Sequence, residues 1–268
     1  MTVTRRELMA TSAGLAVWWQ RLMTARAQEA RGPGKPTLVD DLVAANHFLA
    51  GQEVVDGYGH VSVRDPADSD RYLMARSVAP ALVTSADILG YDLDSNPFDA
   101  NGATVYIERF IHGEIYRVRP EVRAVVHSHA TALIAFGVTK IPLRPTWHMG
   151  AFIGAGVPIY EIRASRDAND KLMLIHTPAL GKALARTLGD HPAALIRGHG
   201  AVIVGSSLGQ AVGRSIYLQQ NAIIQAQAMS LGASINYLDA GEAQAMGDNL
   251  YDRDWDLWKR QGAARCTL

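Results

Sequence analysis

Residues 124–129 read Ala-Val-Val-His-Ser-His, a short apolar run that ends in two histidines one residue apart. A run of this length and composition reads as a buried strand. Side chains at i and i+2 of a strand share a face, so His127 and His129 point the same way. Two imidazoles on one side of an otherwise apolar strand need a common partner, and a divalent cation is one, bound by imidazole nitrogen at about 2.0–2.1 Å. The pair alone is a weak signal, because most histidines serve ordinary hydrogen bonding; His47, His60, His112, His148, His176 and His191 default to that role.

His199 strengthens the signal. It stands between glycines in Arg197-Gly198-His199-Gly200, at a break between two apolar runs, 193–196 and 201–204. Glycine lets the backbone turn sharply and approach closely there. Three protein ligands leave a coordination position open, the arrangement of catalytic rather than structural sites.

Around these residues the pattern predicts helices over 37–50, 106–119, 130–137, 178–188 and 208–231, and strands over 57–64, 71–75, 88–93, 124–129, 193–196 and 201–204. Pro120 closes the second helix and Gly189 the fourth. No repeat or low-complexity linker interrupts the chain, so one α/β domain over 36–268 is the economical reading. The tail, 249–258, carries aromatic residues among charges and reads as a docking segment; with Tyr217 and His148 it is a candidate for a pocket or interface role.

The formal net charge is zero and no basic block carries interleaved aromatics, which argues against nucleic acid or an anionic membrane as partner. The single Cys266 excludes an intrachain disulfide, so a metal site must be built from histidines and carboxylates. Residues 1–30 hold Arg5-Arg6, an apolar stretch from Leu8 to Trp19 and Ala25-Arg26-Ala27. That order is the one of a cleavable signal peptide, and the paired arginines resemble the twin-arginine type. The expectation is export to the periplasm without a stable membrane anchor, the apolar stretch being shorter than the ~20 residues of a span. An uncleaved N-terminus would leave the protein cytoplasmic, and an amphipathic first helix is the alternative reading.

GHVSVRDP (59–66), YIER (106–109), RPEVRAVVHSHA (119–130) and LIRGHGAVIVG (195–205) resemble, in order and spacing, the motifs of the class II aldolase/adducin family. The similarity runs over roughly 38–235. It implies a single-domain, three-layer α/β/α fold with a central, mostly antiparallel sheet, and a homotetramer with sites at subunit interfaces. It also implies one divalent metal ion per chain, Zn²⁺ or Mn²⁺, on His127, His129 and His199, with Glu108 on the preceding helix as acid/base of raised pKa.

The sugar-phosphate aldolases of the family cradle a phosphate with small polar residues. Here those positions hold His60, Arg76 with Ser77, and the bulky Tyr106-Ile107. A phosphate cradle needs close backbone approach and small donors, whereas Arg76 and His60 suit a planar carboxylate. In this respect the chain resembles the decarboxylase branch, which acts on hydroxyphthalate-type and 3-hydroxy-2-methylpyridine-4,5-dicarboxylate substrates. The implied activity is a metal-dependent carbon–carbon lyase that decarboxylates a hydroxylated aromatic or heteroaromatic carboxylate through a metal-stabilised enolate, with His60, Arg76 and Ser77 binding substrate. The alternatives are an aldolase acting on a non-phosphorylated hydroxy-carbonyl compound, and a non-catalytic, adducin-like binding module. No G-x-S-x-G or H-E-x-x-H supports a hydrolase.

Overall fold

The apolar runs found in the sequence become neighbouring strands of one sheet. The computed structural model describes residues 37–247, 249 and 251–265, and from Leu38 onward the chain forms a single contact unit. The proposed signal segment, 1–30, and Cys266 lie outside the described residues. The strands are β1 (His60–Arg64), β2 (Arg71–Ala75), β3 (Ile88–Asp92), β4 (Ala124–Ser128), β5 (Ile159–Tyr160), β6 (Ala193–Ile196) and β7 (Gly200–Gly205). They lie in the order β3-β2-β1-β4-β7-β6-β5. Every pairing is antiparallel except β5 with β6, so the sheet is mostly antiparallel, as expected.

Helices cover both faces. On one face Val61, Val126, Leu195 and Ile203 pack with α1 (Leu38–Gly51), α3 (Thr131–Gly137) and α5 (Leu208–Ser230), through Leu42, Leu133 and Ile216 among others. On the other, Tyr72, Val125, Ile196 and Val204 pack with α2 (Phe110–Val118) and α4 (Pro178–Leu188), through Ile111, Ile115 and Leu184. With both faces covered, β4, β6 and β7 are buried at every position, which is why they read as continuous apolar runs rather than as alternation. Local signals hold at the helix ends. Thr177 and Ser207 accept from the backbone N–H groups of Leu180 and Gln210 at the starts of α4 and α5, and α4 stops at Gly189 with φ +51.

Three predicted boundaries close to the histidines and Glu108 move, each for a local reason. The α2 helix begins at Phe110, so Glu108 lies in the preceding turn rather than on the helix. That turn is pinned by Arg109, whose Nε donates to the Ser95 carbonyl at 2.9 Å. The β4 strand ends at Ser128, whose hydroxyl donates to the Val54 carbonyl at 2.7 Å, and His129 follows it. Residues 57–59 form a loop, because the Asp56 carboxylate accepts from the N–H groups of Tyr58 and Gly59 at 2.8 and 3.1 Å. The tail folds as α6 (Ala240–Met246) and α7 (Asp252–Arg265) and docks on its own chain. Tyr251 stacks on Tyr217 at 5.3 Å, and Trp255 meets Phe48 edge-on at 6.0 Å. Pattern reading missed both helices, since their apolar residues are too few to form a stripe, and it missed the two-residue β5.

The motif arginine Arg64 is structural. It is buried, and its guanidinium donates to the carbonyls of Val122 at 3.0 Å, Tyr116 at 2.6 Å and Arg119 at 3.0 Å, closing the C-terminal end of α2.

The glycines around His199 have separate causes. Gly198 has φ +65, a left-handed conformation that side chains disfavour. A Cβ on Gly200 would lie 1.9 Å from the Ser128 carbonyl oxygen. Gly200→Ala is therefore expected to push β7 away from β4 and to destabilise the fold by about 2–4 kcal/mol, read as a lowered denaturant midpoint at unchanged m-value. A midpoint within error of the parent would contradict the close approach.

Candidate metal centre

His127 is the penultimate residue of β4, on the α2/α4 face, His129 follows the strand end, and His199 sits in the turn that leads into β7. Ladder pairing places Ser128 opposite Ala201, so residues about seventy apart in sequence meet at one end of the sheet. The three Nε2 atoms form a near-equilateral triangle: 3.0 Å from His127 to His129, 3.1 Å from His127 to His199 and 3.1 Å from His129 to His199. Oε2 of Glu108 lies 3.2 Å from His199 Nε2 and 3.4 Å from His127 Nε2. These four side chains are the group of potential metal ligands among the described residues.

The outer nitrogens determine what the triangle can hold. His127 Nδ1 faces the Ala201 carbonyl at 3.2 Å, and His199 Nδ1 the Met173 carbonyl at 2.7 Å. His129 Nδ1 faces the Asp56 carboxylate at 2.9 Å. Carbonyl and carboxylate oxygens only accept, so each Nδ1 carries the hydrogen and each Nε2 presents a lone pair. Three lone pairs at 3.0–3.1 Å beside a carboxylate repel one another unless a cation lies among them. The donor set therefore fits a divalent metal, with Nδ1 partners of the kind that orient metal-binding imidazoles.

The charge state of the neighbours agrees. Burial acts to raise the Glu108 carboxyl, but His127 and His199 outweigh it and hold the group far below the usual range. This reverses the expected raised pKa: the flanking imidazoles dominate desolvation. Glu108 Oε1 also accepts from the Ile175 N–H at 2.7 Å, which fixes its orientation. Burial would lower His199, yet the hydrogen bond with Glu108 raises it. Burial, then His127, push His129 down to about 4. In Asp56, burial raises the pKa, and the N–H groups of Tyr58 and Gly59 together with His129 reverse the sign. Asp56 is the residue of the candidate centre that sequence reading missed. An aspartate in a loop carries no motif, and only the fold places it against His129.

The remaining expected residues lie around the centre with different degrees of support. His60 pairs opposite His127 across β1 and β4, is 1% exposed, and has its ring 5.0 Å from that of His127 and 4.5 Å from that of Tyr106. Burial, followed by His112 and His127, keeps it neutral, well below its ordinary pKa. Tyr106 is buried, and its hydroxyl donates to the Val78 carbonyl. Arg76 gives its Nε to the buried Asp87 at 2.7 Å, so part of its capacity is structural. Among the described residues its two Nη groups have no recorded partner. Ser77 is exposed and its backbone N–H is bound to the Thr104 carbonyl at 2.8 Å. A cleft of about 550 Å³ lined by Val55, Asp56, His129, Thr131, Gln219 and Ile223 reaches His129 from outside.

Comparison with known proteins agrees with the geometry. Residues 40–226 match the family described as Class II Aldolase and Adducin N-terminal domain. The chain is 36% identical over 247 aligned residues to "Decarboxylase tropJ" of Talaromyces stipitatus, covering 83% of this chain and 93% of that one. It is 28% identical over 247 residues to the 3,4-dihydroxyphthalate decarboxylase of Arthrobacter keyseri, covering 86% and 90% respectively. Among solved structures, the L-fuculose 1-phosphate aldolase of Glaciozyma antarctica superposes with a TM-score of 0.70 at 21% identity, over 87% of this chain and 93% of that one. That likeness supports the three-layer fold alone. On the family match and the extent of its relatives, this chain belongs to the class II aldolase and adducin family.

Proposed function

We propose that the protein is a divalent-metal-dependent carbon–carbon lyase that decarboxylates a hydroxylated aromatic or heteroaromatic carboxylate. The observation that carries the reading is the convergence of three imidazole lone pairs beside a carboxylate, with an outside cleft at His129. Its relatives named as decarboxylases support the reaction class.

His127, His129 and His199 would hold the ion, with Asp56 and the Ala201 and Met173 carbonyls setting their orientation. Bound there, a divalent ion supplies a Lewis acid that withdraws electron density as the carbon–carbon bond breaks. Glu108 rests as a carboxylate, held by Ile175. It takes the proton of the substrate hydroxyl and returns it to the ring carbon that carbon dioxide has left, while solvent restores the hydroxyl. Carboxylate loss thus leaves its electron pair on the ring until Glu108 supplies the proton. Arg76, through its free Nη groups, and Ser77 hold a carboxylate that remains on the ring, and His60 donates to a second oxygen.

Three imidazoles with a nearby carboxylate suit both Zn²⁺ and Mn²⁺, so geometry alone does not select the metal. The proposal includes a homotetramer, the assembly that the family resemblance implies, and export by the twin-arginine route, which rests on residues 1–30.

Metal analysis of the purified protein beside His129→Ala comes first. About one ion per chain, lost in the variant, is the expected result. Parent protein without metal, even after incubation with Zn²⁺ or Mn²⁺, overturns the lyase reading in favour of a binding module. Asp56→Ala is expected to weaken metal affinity about 10–100-fold, read by competition with a chelator; parental affinity would remove Asp56 from the site. Glu108→Gln is expected to keep the ion and lose about 10²–10⁴ in kcat for carbon dioxide release from 3,4-dihydroxyphthalate. Release of an aldehyde instead of carbon dioxide by the parent would replace decarboxylation with aldol cleavage.

A further inference from the structure

One short arc of chain holds both Glu108 and His199. The connection from β5 to α4 runs through residues 161–177, and the backbone of 171–176 makes no hydrogen bond to other backbone groups among the described residues. Two of its backbone groups instead serve the metal centre. The Met173 carbonyl accepts from His199 Nδ1–H at 2.7 Å, and the Ile175 N–H donates to Glu108 Oε1 at 2.7 Å. With Oε1 committed, Oε2 is the oxygen left facing the imidazoles, 3.2 Å from His199 Nε2. A shift of this arc therefore moves a metal ligand and the acid/base together.

An arc without ladder bonds opens easily unless other contacts tie it down. Ile175 is fully buried in the core on the α2/α4 face. Arg166 Nη1 donates to the Leu172 carbonyl at 3.0 Å and Arg197 Nη2 to Met173 Sδ at 3.4 Å, so both hold the first half of the arc. Asp170 alone among the described residues reaches both ends with its side chain. Its Oδ1 accepts from the Leu172 N–H at 2.9 Å, and its Oδ2 lies 3.6 Å from His176 Nε2. His176 in turn donates from Nδ1 to the Leu174 carbonyl at 3.0 Å. The Asp170 and His176 side chains are 19% and 23% exposed, so solvent screens this pair less than an open surface pair. Asp170 is not itself bonded to Glu108 or to the three histidines.

We infer that Asp170 is a positioning residue: by bracing both ends of the arc 172–176 it sets the Met173 carbonyl and the Ile175 N–H, and through them the placement of His199 and Glu108. Loss of the brace weakens two properties at once, the grip of His199 on the ion and proton delivery from Glu108 Oε2. A small misplacement of a reacting group lowers the rate far more than it lowers stability. Substrate affinity is spared, because Arg76 lies on a different turn, held by Asp87. Asparagine at position 170 keeps an oxygen for the Leu172 N–H and an amide for His176, whereas alanine keeps neither. The effect on turnover rests on the decarboxylase reading above; the brace itself does not.

The test is hydrogen exchange at the Ile175 amide, resolved by fragmentation in mass spectrometry, on metal-free and zinc-loaded protein, beside zinc affinity by competition with a chelator. Asp170→Ala is expected to speed Ile175 exchange about tenfold in both forms and to weaken zinc binding about three- to tenfold. Its kcat for 3,4-dihydroxyphthalate should fall about tenfold, with KM within twofold of the parent. Asp170→Asn should stay within about threefold of the parent in all four quantities. His176→Ala removes the far tie alone and should speed Ile175 exchange about threefold. Lys171→Ala controls for general loosening of the loop, since Lys171 Nζ donates to the Ala168 carbonyl, outside the arc; it should match the parent. Parental exchange and zinc affinity in Asp170→Ala overturn the inference, and so do equal losses in Lys171→Ala or a KM that rises as kcat holds. If the parent binds no zinc or releases no carbon dioxide, the metal or decarboxylase reading fails, while Ile175 exchange in the metal-free protein still decides the brace.

Discussion

The backbone ladder around β4 is the constraint on which the site depends. β4 lies between β1 and β7, so every residue from Ala124 to His127 has a partner on each side. That double pairing sets His60 opposite His127 on one flank and begins β7 beside Ser128 on the other. Gly200 approaches the Ser128 carbonyl so closely that no Cβ fits, and His199 is carried to the mouth of the ladder as a result. A slip of one residue in either pairing would turn His127 to the opposite face and break up the triangle. The helices on both faces bury the alternative register's cost in the core, so strand order and metal geometry are one constraint.

Around that frame, electrostatics is arranged for a positive charge. Three lone pairs and a carboxylate within a few ångströms are stable only with a cation or with protons among them, and the raised His199 beside Glu108 is the proton's version of that demand. Each ligand imidazole is held by an acceptor behind it. His60 instead has the His112 ring behind it, with Nδ1 2.7 Å from His112 Nε2.

The substrate side of the centre is built differently from the metal side. Arg76 divides its guanidinium between Asp87 and solvent, and Tyr106 fills space next to His60 with its hydroxyl already bound. A rigid ring wall, a buried imidazole and a half-free guanidinium suit a flat, anionic molecule better than a flexible phosphorylated sugar.

The sequence by itself determined most of the strand and helix pattern up to residue 231, the three candidate ligand histidines and the candidate carboxylate Glu108. Those features are local: an apolar run buried on both faces, a glycine pair around a histidine, a glycine that ends a helix. It also marked His60 and Arg76 as departures from a phosphate cradle. Only the tertiary structure decided that Glu108 sits in a turn and is held ionised, because its charge state depends on imidazoles far away in sequence. The same holds for Asp56, which meets His129 across a separation of 73 residues, and for the buried contacts of His60, His112, Ser62 and Tyr116, which show no pattern until a strand packs on a helix. A linear sequence supplies the members of such clusters, and packing alone brings them together.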